Sequence, residues 1–225
     1  MNLAVRYVLF TFPPVLLATL LCLLFIDKPT AIRTAQWVSE KSISTTPALI
    51  SGDLLNLLTE LVYLGVTCWM VLYFFFRTAG KNSKFLDCLA FMSLTMAVAF
   101  FIKSTLQLFF GRYVPRYADS NILIFVRNKS LYGFHWFQAG SFPSGHMCVF
   151  GAGLTALVLF YPKTKPIAIL LGLGLAITMV LLNYHFVSDV IAGGYIGISL
   201  ALAMASVVLK SGKQTHHCPS LKEEA

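Results

Sequence analysis

Apolar residues fall in six long runs, at approximately 7–26, 54–76, 85–110, 146–161, 166–184 and 186–209. A helix rises ~1.5 Å per residue, so about 20 apolar residues cross a hydrocarbon core of ~30 Å. Most of the runs reach that length. The fourth is short, and the last two are separated by little more than a turn. The pattern predicts a bundle of six membrane-spanning helices. Pro13 and Pro14 inside the first run predict a kink. With Arg6 before its apolar core, that run resembles a signal peptide. No small-x-small cleavage site follows it, so it is read as a retained span.

Composition agrees with the pattern. The 225 residues are 57% hydrophobic and 12% charged, with a mean hydropathy of +0.76, against about 25% charged residues in soluble domains. Residues 1–209 form one six-span domain on this reading, and 210–225 a disordered cytoplasmic tail. A net charge of +8 could suggest nucleic acid in a soluble protein. Here it sets sidedness instead, because short basic loops stay in the cytoplasm. Arg6, the loop 77–84 (Arg77, Lys81, Lys84), the loop with Lys163 and Lys165, and Lys210 and Lys213 all fall on one side. Both termini are therefore expected inside, and 27–53, 111–145 and the 184–186 corner outside. Cys22, Cys68, Cys88, Cys148 and Cys218 form no CxxC pair and read as small hydrophobes. His216 and His217 read as solvent-facing. No metal or cofactor is expected.

Polar residues at the mouths of spans carry the chemistry. The outer loop 111–145 breaks the charge rule, with Arg112, Arg116, Arg127 and Lys129 against Asp119 alone. An anionic ligand is one reason for that; a well-packed bundle that tolerates outside charge is another. Pro143, Ser144, Gly145 and His146 read as a turn opening the fourth span. Its unpaired N–H groups and dipole suit an anion there. Lys103, Arg112 and the Ser144–Gly145 backbone are expected to hold a phosphate. His185 and Asp189 are four apart, so a helix puts them on one face. Asp189 can then orient His185 as a nucleophile, while His146 protonates a leaving oxygen. His135, among aromatic residues, suits either the interface belt or the site. Glu60, in the second span, is expected to pair with Lys103 or be protonated.

These residues resemble the membrane type-2 phosphatidic acid phosphatases, related in fold to the vanadium haloperoxidases. The family carries Lys-x6-Arg-Pro, then Pro-Ser-Gly-His, then Ser-Arg-x5-His-x3-Asp. Here Pro143–His146 matches the second motif in full, and His185 with Asp189 the end of the third. The resemblance covers roughly 50–209. It implies an all-α, polytopic fold of six transmembrane helices. It also implies metal-independent hydrolysis of a lipid phosphate through a phosphohistidine on His185, with Asp189 as partner and His146 as acid. Lys103, Arg112, Ser144 and Gly145 would bind phosphate, with Arg116 and His135 assisting. Phosphatidate, phosphatidylglycerophosphate, undecaprenyl pyrophosphate and lipid A are the substrates it implies. The expected location is a bacterial inner membrane, with the site facing the periplasm.

The chain departs from the family pattern in two places. Lys103 and Arg112 have eight residues between them, and Val114 precedes Pro115, while Gln107 stands near the family's Lys. Either Lys103 reaches from one turn earlier, or Arg116 helps, or the site holds less charge. In the third motif Thr178 and Met179 replace Ser-Arg. A lipid phosphotransferase, a non-catalytic lipid-phosphate-binding protein and a Ser144–His185 intramembrane protease are the rival readings.

Overall fold

In the computed structural model, residues 3–40, 52–80, 83–115, 132–138 and 140–215 are described. Within them the chain is helical, with one isolated antiparallel bridge between Arg112 and Phe134. The first rod is α1 (Leu3–Leu21), a π turn (Cys22–Ile26) and α2 (Asp27–Glu40) in unbroken succession. Then come α3 (Gly52–Thr78), α4 (Lys84–Phe110), α5 (Gly145–Phe160), α6 (Lys165–Leu181) and α7 (Val187–Thr215). The helices Arg6–Trp37, Lys84–Phe110, Pro162–Leu181 and Val187–Val208 are long and apolar enough to cross a membrane, and Cys68–Thr78 and Gly145–Phe160 are shorter apolar helices. The chain is a multi-pass, all-α membrane protein.

Helix α5 sits at the centre, against α4, α6 and α7. Its contact with α7 is built from small residues four apart. Cys148, Ala152 and Ala156 are fully buried on α5, and Gly193, Gly197, Ala201 and Ala205 follow one another along α7. A Cβ on Gly193 would collide with the Ser144 carbonyl, and one on Gly197 with the Cys148 carbonyl. Lipid gives apolar side chains no hydrophobic reason to associate, so close backbone approach supplies the attraction. Larger apolar side chains point outward, Phe101 being 71% and Leu170 70% exposed.

Local signals set the ends of α4. The Ser83 side chain accepts the Leu86 N–H at its start. Gly111 closes it at φ 58, its N–H bonded to the Gln107 carbonyl. A Cβ at Gly111 would run into the His135 carbonyl, so glycine lets the 134–140 segment fold back over the helix end. At the opposite end of the bundle, Lys84 Nζ lies over the Tyr161 ring, 5.2 Å from its centroid. The start of α4 and the end of α5 are therefore neighbours.

Three features differ from the sequence reading. Helix α1 runs through Pro13 and Pro14, and the irregular turn comes later, at Cys22–Ile26. Residues 27–40, expected in an outer loop, extend the first helix. Pro29 has no N–H to return to the turn before it, and the irregular Cys22–Ile26 turn lies there. Helix α7 continues to Thr215 rather than ending at 209. Arg116, Arg127, Lys129, His216 and His217 lie outside the described residues.

Candidate active site

The Ser144–Gly145–His146 turn opens α5, where the Ser144 hydroxyl caps the helix by accepting the Met147 N–H. The Ser144 N–H donates to the Asp189 backbone carbonyl at 3.0 Å. The two helix starts are thus tied together, and this N–H, expected to meet phosphate, is already engaged. Gly145 is buried beneath the Lys103 side chain and Gln107. Its amide belongs to the first turn, where no helical carbonyl is available to it.

His185 lies in the turn between α6 and α7. Its backbone N–H and that of Tyr184 both reach the Met179 carbonyl, at 3.2 and 2.9 Å. Asn183, at φ 54, reaches the other way: its amide donates to the Ala31 carbonyl, and Thr34 donates to its oxygen, both at 3.2 Å. The turn is therefore fastened to α2. The His185 ring is 5% exposed, and its Nδ1 lies 3.6 Å from Asp189 Oδ2. The His146 and His185 ring centroids are 6.0 Å apart, at 67°. Tyr184 packs against both rings, at 5.9 and 6.1 Å. Two imidazoles, one from the first turn of α5 and one from the turn before α7, the latter backed by a carboxylate, can act as nucleophile and acid on one group placed between them.

Arg112 stands behind Asp189. Expected to face a phosphate, its guanidinium is 1% exposed and lies between two carboxylates. Nη1 donates to Asp189 Oδ1 at 2.5 Å and to Ser188 Oγ at 2.7 Å. Nη2 donates to Asp27 Oδ2 at 2.8 Å and to Tyr132 Oη at 3.2 Å. The Phe186 ring covers the guanidinium at 3.9 Å. Burial works against its charge, but Asp189 and then Asp27 outweigh that and hold its pKa above the ordinary value. Burial pushes the Tyr132 hydroxyl up to about 12, with Arg112 pulling the other way. Asp189 Oδ2 also accepts from Ser141 Oγ and the Phe186 N–H, each at 3.3 Å.

Asp27 is the residue the sequence reading missed. It is fully buried and accepts the Ser188 N–H at 3.0 Å and the Ser188 hydroxyl at 2.5 Å besides Arg112. The π turn sets its register: the Asp27 N–H reaches back to the Cys22 carbonyl, and the Leu23 carbonyl takes the Tyr132 hydroxyl. π turns recur at functional sites. One signal was legible, an acid at the mouth of the first apolar run.

The other expected residues divide. Lys103 packs its chain on Gly145, and its ammonium donates to Gln107 Oε1 at 3.3 Å. Gln107 in turn donates to the Pro143 carbonyl at 3.0 Å. Lys103 therefore stands one helical turn before Gln107, beside the start of α5. Glu60 is exposed, and no ion pair joins it to Lys103 among the described residues. Met179, at the family's Arg position, is fully buried in an apolar cluster with Val190, Met147 and Leu175. His135 stacks on Tyr113 at 4.8 Å, and its N–H reaches the Phe110 and Gly111 carbonyls. That makes it part of the segment closing over α4. Arg116 lies outside the described residues. Among those residues no three His, Cys, Asp or Glu side chains gather as metal ligands.

This arrangement is one of histidines and a backing carboxylate at the starts of two membrane helices. The PAP2 superfamily matches residues 88–213, and the chain belongs to that family. Over 72 residues it is 38% identical to a lipid A 1-phosphatase of Rhizobium johnstonii, covering 32% of this chain and 30% of that protein. A lipid A 1-phosphatase of Rhizobium etli matches at 38% over 72 residues, covering 31% of its length. The chain thus aligns with under a third of the length of these relatives. No solved structure matches it.

Proposed function

We propose that the chain is a lipid phosphatase that hydrolyses a phosphomonoester or pyrophosphate on a lipid head group through a phosphohistidine. The observation that carries this reading is the pair of facing imidazoles, His146 and His185, with Asp189 behind His185. Family membership and the lipid A 1-phosphatase relatives support it.

In the first step the His185 Nε2 lone pair forms an N–P bond. The P–O bond to the lipid breaks, and protonated His146 gives its proton to the leaving oxygen. Asp189, 3.6 Å from Nδ1 in the free protein, closes on it to hold the remaining proton there, which leaves Nε2 for the phosphorus. In the second step His146 takes a proton from water, the water oxygen bonds phosphorus, and the N–P electron pair returns to Nε2. Lys103 and the Gly145 amide stabilise the charge on the phosphoryl oxygens. Ser144 holds the turn through its cap, and Arg112 acts from behind Asp189. Arg116 and His135 keep the assisting roles that the resemblance implies. The basic loops at the Lys84–Tyr161 end favour that end as cytoplasmic, which turns the site to the periplasmic side of a bacterial inner membrane.

The test is phosphate release by purified protein in detergent, with EDTA present. The panel is phosphatidate, phosphatidylglycerophosphate, undecaprenyl pyrophosphate and lipid A, with His185→Ala alongside. Release that disappears in the variant supports the reading, and the fastest substrate names the lipid. Release that survives it overturns the histidine mechanism.

A further inference from the structure

We infer that Asp27, on the first helical rod and outside the 88–213 family match, is a positioning residue of this active site, acting on His185 through Arg112 and Asp189. The inference rests on the phosphohistidine reading above.

The network is continuous. Asp27 shares Arg112 with Asp189, one carboxylate on each guanidinium nitrogen, Nη2 and Nη1. Asp27 also takes both polar groups of Ser188, the residue before Asp189. The Ser188 hydroxyl stands between the two, accepting from Arg112 and donating to Asp27. One side chain therefore sets both the start of α7 and the cation behind the His185 partner.

Charge gives the arrangement a purpose. One guanidinium between two buried carboxylates leaves a net charge of about −1 behind a neutral His185. Burial makes such an excess costly, and it is relieved when the ring in front becomes positive. Phosphorylation at Nε2, with Nδ1 still protonated, makes the ring itself formally positive, while the negative charge of the phosphoryl oxygens lies on its other side, away from the two carboxylates. With Asp27 absent, Arg112 would neutralise Asp189 alone, and the phosphoimidazole would lose that support. Asp27 has no exposed surface, so it touches no substrate. Its removal is expected to act on turnover rather than on binding.

The experiment uses the full chain in detergent. Asp27→Asn, Asp189→Asn and the double variant are compared on the fastest lipid phosphate of the panel, with orthovanadate binding measured in parallel. Asp27→Asn is expected to lower kcat by about 10²-fold, the scale of a misplaced reacting group, and to leave KM within about twofold. It should also weaken vanadate binding. In the Asp189→Asn background it should add less than about threefold, because the two residues act as one unit. Asp27→Glu, which keeps the charge, should recover part of the loss. If Asp27→Asn does not fold, Ser188→Ala removes only the bridging hydroxyl and should show the same kcat-only signature. Wild-type turnover in either variant, or full additivity with Asp189→Asn, would overturn the inference and leave the phosphatase reading standing. A wild-type protein that neither hydrolyses any lipid nor binds vanadate would overturn both.

Discussion

The two sides of His185 differ in how they use charge. Behind the ring, Arg112, Asp27 and Asp189 form a buried ionic cluster with Ser141, Ser188 and Tyr132 around it. In front, among the described residues, stand His146, Tyr184, Lys103 and the uncharged Gln107. The family's Lys and its third-motif Arg give way to Gln107 and to Met179, the latter inside an apolar cluster. The charge at the back sits behind the proposed nucleophile, and among the described residues Lys103 is the cation in front. A cation near an active site is therefore not by itself a substrate contact. Arg112 is near enough to be counted as one, but its two Nη groups serve Asp189, Asp27, Ser188 and Tyr132, which leaves its Nε–H.

The largest effect tests the residue between the two sides. His185→Ala should lower turnover by about 10⁴-fold or more, roughly 5.4 kcal/mol in barrier, measured as phosphate release from the best lipid. The back is broken next. Arg112→Met leaves Asp27 and Asp189 buried without their cation, which costs about 3–5 kcal/mol. The expected readout is loss of the folded peak in detergent gel filtration or a large drop in Tm. A variant that folds normally and only raises KM would return Arg112 to the substrate side. Gly193→Ala then separates back from front. Its Cβ meets the Ser144 carbonyl, so the start of α5 must shift away from α7 and carry His146 with it. About 1–3 kcal/mol of stability, together with a fall in kcat, is expected from melting and rate measurements. The smallest effect belongs to the front: Lys103→Gln should raise KM by about tenfold, close to 1.4 kcal/mol, with Tm nearly unchanged.

Much of the front was legible in the sequence because its signals are local. The turn at Pro143–Gly145, the position of His146 just after it and the closeness of His185 to Asp189 all follow from neighbouring residues, although His185 sits in the turn before α7 rather than on a helix with Asp189. The six apolar runs likewise fell on six separate helices. The back was not legible, because its pairings are long-range. Arg112 and Asp27 are 85 residues apart and Arg112 and Asp189 are 77 apart, and no spacing rule joins them. Asp27 was also hidden by a secondary-structure expectation. Lys28 and Pro29 read as the start of a loop, whereas the π turn carries the helix past them. The engagement of the Ser144 N–H by the Asp189 carbonyl was invisible for the same reason, since a backbone contact between two helices leaves no mark on composition.

The most direct test of the central claim is to quench the enzyme during turnover of a lipid carrying a radiolabelled phosphate and look for label on the protein. The account predicts an acid-labile, base-stable phosphoryl group on His185 that is absent from His185→Ala. Steady turnover with no label on the protein, or label on another residue, would contradict it.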